Sequence, residues 1–198
     1  MCRFENRCLK MEQLIGYFTT KQLMQKGLTT YKIRALCAEE VLLKIKKGLY
    51  RNTEMFYQDQ SFLDVCQAIP TAVVTSYSAL SYYGLTTFIP QEVFICIPQN
   101  RRITKINYPP TVQYRRDVTL FKEHIVTERR DKYSFRIYDM EKVVCDTIKN
   151  RKTMGMDTVK EVLREYLKHK DNNMLKLYET AKKCKVFNVL DEFLTVMR

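Results

Sequence analysis

Two short runs of this 198-residue sequence carry side chains able to grip a polyanion. Thr29, Thr30, Tyr31, Lys32 and Arg34 fall within two turns of a helix. Hydroxyls, an ammonium and a guanidinium at that spacing can hydrogen-bond both base edges and phosphate oxygens. Lys44, Lys46, Lys47 and Arg51 follow in the run Leu43-Lys44-Ile45-Lys46-Lys47-Gly48-Leu49-Tyr50-Arg51, where cations interleave with apolar residues. Such cations supply affinity for a phosphate backbone without reading its sequence. Patterns for enzymatic chemistry are missing: there is no GxGxxG, no P-loop, no GxSxG and no HExxH. Ser76, Ser78 and Ser81 have no histidine near them in sequence. Glu141 and Asp146, five residues apart, read as salt-bridged or solvated carboxylates rather than an acid–base pair. The two histidines, His124 and His169, do not make the usual histidine-rich metal site. The seven cysteines include no CxxC and read as reduced thiols used as small apolar residues. No catalytic residue, metal ligand or cofactor is therefore expected.

The elements that must position these cations are legible from periodicity. Leu9, Met11, Leu14 and Ile15 form an apolar stripe on a first helix closing at Gly16. Tyr17-Phe18 is a short extended piece. Thr19 or Thr20 caps a second helix, Lys21 to Lys26, with Leu23 and Met24 as its apolar residues. Gly27 ends it, Leu28 fills the turn, and Thr29 or Thr30 caps a third helix to about Glu39 that buries Ile33, Leu36 and Cys37. Two short helices about a glycine turn, the second opening with hydroxyls, have the pattern of a helix-turn-helix. Lys47-Gly48 is a tight turn between two strands, so the following hairpin reads as a wing with Lys44 and Lys46 outward.

Charge points the same way. The chain carries 34 basic and 22 acidic residues, net +12, and residues 1–57 alone hold 11 basic against 5 acidic, net +6. A compact basic unit suggests double-stranded DNA. A protein-interaction domain of the same shape is the plainer alternative, and RNA fits less well because no aromatic-rich strand offers a stacking platform. No apolar stretch is long enough to span a membrane, and the N-terminus lacks a secretory core, which suggests a soluble cytosolic protein.

From Gln58 the character changes. Helices are expected over Ser61–Ala68 and Ala72–Tyr83. Strands follow at Glu92–Ile97, Thr111–Arg115, His124–Thr127 and Tyr133–Tyr138, and helices run to the end, one capped by Asp139 and one by Asp157. The expected fold is α+β: an N-terminal winged helix-turn-helix over 1–58 and a C-terminal α+β domain over 59–198 with a small sheet and flanking helices. Three basic clusters sit in its turns: Arg101, Arg102 and Lys105; Arg115 and Arg116; Arg129 and Arg130 with Lys132. Converging, they would make a second anionic surface.

The order of these features resembles the AbiEi family of antitoxins from abortive-infection, type IV toxin–antitoxin systems. The resemblance is carried by Gly16–Leu23, Gly27–Tyr31 and the wing Leu42–Arg51. Downstream it is carried by Ser76–Thr86, similar to the family's helix ending in ALxxxGLT, and by Pro90–Pro98 and Tyr138–Asp146. It implies a bacterial cytosolic protein that represses its own promoter by binding inverted repeats. It also implies that the C-terminal domain counteracts a nucleotidyltransferase toxin without a stable complex. Two other functions stay open: a regulator whose C-terminal domain senses a ligand, and a nucleic-acid enzyme, which would need a carboxylate cluster that the sequence does not display.

Overall fold

The computed structural model describes residues 15–197, so the helix expected over Leu9–Ile15 lies almost wholly outside the described residues. The chain divides into two compact units. One runs to Pro70 and takes in Ile103–Thr111; the other consists of Thr71–Arg102 and the chain from Val112 onward.

In the first unit, β1 (Tyr17–Thr19) leads into α1 (Thr20–Gln25) and α2 (Thr30–Ala38). The hairpin strands β2 (Leu42–Lys46) and β3 (Leu49–Asn52) follow, then α3 (Gln60–Ala68). The sheet order is β1-β3-β2, antiparallel throughout, with Tyr17 opposite Arg51 and Leu42 opposite Asn52. Gly48 turns the hairpin at φ +80°, a conformation that costs a glycine little. The ladder slips between Lys44 and Lys46, a bulge at the fully buried Ile45.

Behind the hairpin lies a polar knot. Asp64 on α3 is fully buried, and the Arg51 guanidinium on β3 lies 2.9 Å from its carboxylate. The Tyr17 hydroxyl donates to the same oxygen at 2.5 Å, and the Gln60 amide donates at 2.9 Å. Arg51 also donates to the Met55 carbonyl at 2.9 Å. Burial pushes the Asp64 carboxyl above the usual carboxylate range, and the tyrosine, arginine and glutamine offset part of that. This knot explains why α3, lying beyond the 58/59 boundary expected from sequence, belongs to the first compact unit.

The second unit holds a five-stranded sheet of order β6-β5-β4-β8-β7. Its strands are β4 (Val73–Val74), β5 (Val93–Pro98), β6 (Thr111–Arg116), β7 (Ile125–Arg130) and β8 (Tyr133–Tyr138). Strand β4 pairs parallel with β8 and antiparallel with β5, while β7 and β8 form a hairpin in register from Ile125–Tyr138 to Arg130–Tyr133. The helix expected over Ala72–Tyr83 is shorter, because Val73 and Val74 form β4 and only α4 (Ser76–Tyr82) is helical. Two β-branched residues buried between neighbouring strands fit a pleated sheet better than a helix.

The remaining helices are α5 (Val118–Phe121), α6 (Met140–Lys149), α7 (Arg151–Met154), α8 (Met156–Lys168), α9 (Met174–Cys184) and α10 (Phe187–Val196). Asp139 caps α6 as expected, accepting from the Lys142 backbone N–H at 2.8 Å. The helix expected to be capped by Asp157 starts one residue earlier, at Met156, with Gly155 at φ +90° before it. Helix α6 is buried from Met140 to Ile148, charged residues included. Their charges are paired: Lys176 reaches Glu141 at 2.8 Å and Asp139 at 3.0 Å, and Asp146 binds both Lys142 and Arg116. Against α6 pack α8 and α9, which bring the fully buried Leu163, Tyr166 and Leu177.

Removing one partner of the first unit's knot should be costly, because the other would stay buried and charged. Asp64→Ala is expected to destabilise by about 3–5 kcal/mol, and the double change Arg51→Met with Asp64→Leu to recover most of that loss. Denaturant unfolding of the full chain measures both.

Candidate nucleic-acid interface

The helix pair is set by its caps and by three apolar residues. Thr19 sits extended before α1, and its side chain accepts from the Gln22 backbone while Gln22 reaches back to Thr19, a reciprocal capping box. Gly27 at φ +82° carries the turn, closed by the Gly27 N–H to the Met24 carbonyl at 2.9 Å and the Leu28 N–H to the Leu23 carbonyl at 3.1 Å. Thr29 then caps α2, its hydroxyl accepting from Lys32 N–H at 3.3 Å. Leu23, Ile33 and Leu42 form the buried cluster, with Phe18, Leu28, Leu36, Cys37 and Tyr50 packed against it. The Thr20 N–H donates to the Gly48 carbonyl at 3.1 Å, tying the hairpin turn to the start of α1.

With Ile33 pointing inward, Thr29, Thr30, Tyr31, Lys32 and Arg34 are all exposed, and Tyr31 is 81% accessible. Thr29 is exposed but its hydroxyl serves the cap. From the hairpin, Lys44 and Lys47 are exposed. Two expected contacts are placed elsewhere. Lys46 is only half exposed and its ammonium donates to the Ala68 carbonyl, because the bulge at Ile45 turns it toward the end of α3. Arg51 is 7% accessible and spends its guanidinium on Asp64 and Met55. Neither is available to a phosphate. Two further cations, Lys21 on α1 and Lys26 at its C-cap, are exposed, Lys26 lying 5.7 Å from the Phe18 ring centroid. A basic side chain on the polar side of an amphipathic helix was the signal for both.

The basic clusters of the larger expected surface do not converge. Arg115 and Arg116 end β6, one edge of the sheet, whereas Arg129 and Arg130 end β7, the opposite edge. Arg116 is bound to Asp146 at 2.9 Å and lies over the Tyr138 ring. Arg130 lies over Phe135 and 3.5 Å from Glu128. Arg101 and Arg102 are exposed after β5, where the Gln99 N–H donates to the Arg116 carbonyl, and Lys105 falls in the segment that belongs to the first unit. The second unit holds two adjoining hollows, of about 530 and about 350 Å³, both walled in part by Arg115, Arg116, Asp146 and Asn150. Among the described residues no group of three or more His, Cys, Asp or Glu could hold a metal, and no helix is long and apolar enough to cross a membrane.

The first of these segments is similar to a known family. Residues 10–53 match the AbiEi antitoxin family of transcriptional regulators. The match takes in β1, α1, α2 and both strands of the hairpin, so the resemblance drawn on Gly16–Leu23, Gly27–Tyr31 and Leu42–Arg51 holds for this AbiEi segment. It ends before α3. No curated protein matches the chain.

The segregation of faces separates stability from surface chemistry. Ile33→Ala should cost about 2–5 kcal/mol on unfolding, whereas Tyr31→Ala should stay within about 0.5 kcal/mol of wild type. Thermal and urea denaturation of the two variants check this.

Proposed function

We propose that this protein is a cytoplasmic DNA-binding antitoxin: it represses its own promoter through the AbiEi segment and counteracts a nucleotidyltransferase toxin without a stable toxin complex. The observation that carries the DNA half is the exposed face of α2, with Thr30, Tyr31, Lys32 and Arg34 outward, flanked by Lys44 and Lys47 of the hairpin. In this reading α2 enters the major groove and the hairpin acts as a wing along the adjoining backbone. Lys32 and Arg34 reach base edges; Lys44 and Lys47 hold phosphates. Inverted repeats upstream of the gene are the expected operator, since a helix-turn-helix reads half-sites. The antitoxin half rests on the family resemblance and is assigned to the second unit, with Arg101, Arg102 and Arg115 as its exposed cations. The domain division that goes with it places DNA binding before about residue 58 and neutralisation after it. A ligand-sensing regulator is the second reading, favoured by the hollows walled by Arg115 and Asn150.

Gel-shift titrations on the DNA upstream of the gene test the first half. Lys44→Ala and Lys47→Ala should each weaken binding to all DNA alike and reduce the slope of log K against log salt by about 0.9. Lys32→Ala and Arg34→Ala should each cost about 1–3 kcal/mol on the operator and less on random duplex. Unchanged slopes for the first pair would remove the hairpin from the interface. For the second half, the full chain carrying Lys32→Ala and Arg34→Ala should lose repression of a promoter reporter yet still rescue growth against a co-expressed toxin of the nucleotidyltransferase class.

A further inference from the structure

The larger hollow of the second unit is walled by cations from three parts of the chain. Arg115 and Arg116 come from β6, Lys142 and Lys149 from α6, and Lys183 and Lys185 from the end of α9. Three carboxylates share the wall, and two are spent. Asp146 is held by Arg116 at 2.9 Å and by Lys142. Asp117 accepts from both the backbone N–H and the hydroxyl of Thr119, which keeps its carboxyl below the usual range. Only Glu123 is left to face Arg115, Lys149, Lys183 and Lys185, all of them exposed and none paired with a carboxylate among the described residues. Unpaired like charges gathered around one concavity raise its potential and favour a multiply charged anion.

The smaller hollow continues from the shared wall of Arg115, Arg116, Asp146 and Asn150 with a different chemistry. Tyr77 and Tyr114, the hydroxyls of Ser76 and Thr153, and Met154 line it. Tyr114 is 46% accessible and stacks on Phe94, with centroids 6.3 Å apart and planes at 24°, so the ring is braced on one side. A braced ring with one open face is a stacking platform for a flat heterocycle. The volumes, about 530 and 350 Å³, each fall within the size range of small-molecule and cofactor sites, roughly 300–1,000 Å³. Cations at one end and an aromatic with hydroxyls at the other fit a single ligand that is anionic at one end and aromatic at the other.

We propose that the second unit binds a free nucleoside triphosphate in this cleft, its phosphates among Lys149, Lys183 and Lys185 and its base against Tyr114. Arg115, on both walls, spans the junction. Asp146 is a positioning residue: it fixes Arg116 and Lys142 as a rigid floor and leaves the outer cations for the ligand. The assignment does not depend on the DNA reading, because no residue of the AbiEi segment lines either hollow.

Calorimetric titration of the full chain with ATP, with GTP and with inorganic triphosphate tests it. Saturable binding of one nucleotide per chain is expected for at least one of the two, weakened at least tenfold by the double variant Lys149→Ala, Lys183→Ala. Tyr114→Ala should weaken the nucleotide but leave inorganic triphosphate unchanged. These side chains are exposed, and matching melting curves confirm that the variants fold. The absence of saturable binding by both nucleotides overturns the proposal, as does a nucleotide affinity indifferent to the double variant. Triphosphate binding as tightly as the nucleotide would make the ligand a polyphosphate, and a single-stranded oligonucleotide binding through these lysines while nucleotides do not would make it a nucleic acid; either result overturns the assignment.

Discussion

The Asp64 carboxylate has no water to face, and the geometry of the first unit follows from how that charge is held. Its partners come from three elements: Tyr17 from β1, Arg51 from β3 and Gln60 from its own helix. A buried ion pair adds little net stability over apolar packing, but each partner fixes where the others must be. Register is the result. With Tyr17 opposite Arg51 and both on Asp64, β1 and β3 cannot slide, so the hairpin and the helix pair that β1 leads into keep one arrangement. The exposed face of α2 inherits its direction from that arrangement.

The second unit shows the same economy. Helix α6 is buried from Met140 to Ile148, and the charges within that span come in matched sets: Glu141 with Lys176 and Tyr166, Asp146 with Lys142 and Arg116. The Cys145 thiol on α6 donates to the Leu177 carbonyl at 4.0 Å, with Cys184 of α9 nearby. Cys145, and less strongly the charges of Lys142 and Lys149, hold the Cys184 thiol below the usual thiol range.

Local physics was legible in the sequence, and non-local physics was not. Thr19, Gly27, Thr29 and the Lys47-Gly48 turn each act within a few residues, so caps, turns and element types could be read directly, as could Asp139 before α6. Arg51 looked like a surface cation because its partner lies on a later helix, and nothing near Arg51 in sequence announces Asp64. Lys46 was misplaced because alternation was assumed to continue through Ile45, where the strand bulges. Val73-Val74 sits in a short apolar run whose periodicity cannot distinguish a buried strand from a helix. The arginine pairs of the second unit seemed convergent in a linear view, whereas the strand order sets β6 and β7 at opposite edges. The cleft was invisible for the same reason, since Lys149, Lys183 and Lys185 meet Arg115 only after the helices have packed.

That strand order has a further effect. An open sheet offers unpaired backbone N–H and C=O groups along its two outer strands, a template on which a second chain could add a strand. Here each outer strand finishes in adjacent arginines, Arg115-Arg116 on one side and Arg129-Arg130 on the other. A copy of the same strand docking alongside in parallel and in register would set guanidinium against guanidinium, and such like-charge facing at an edge disfavours that pairing.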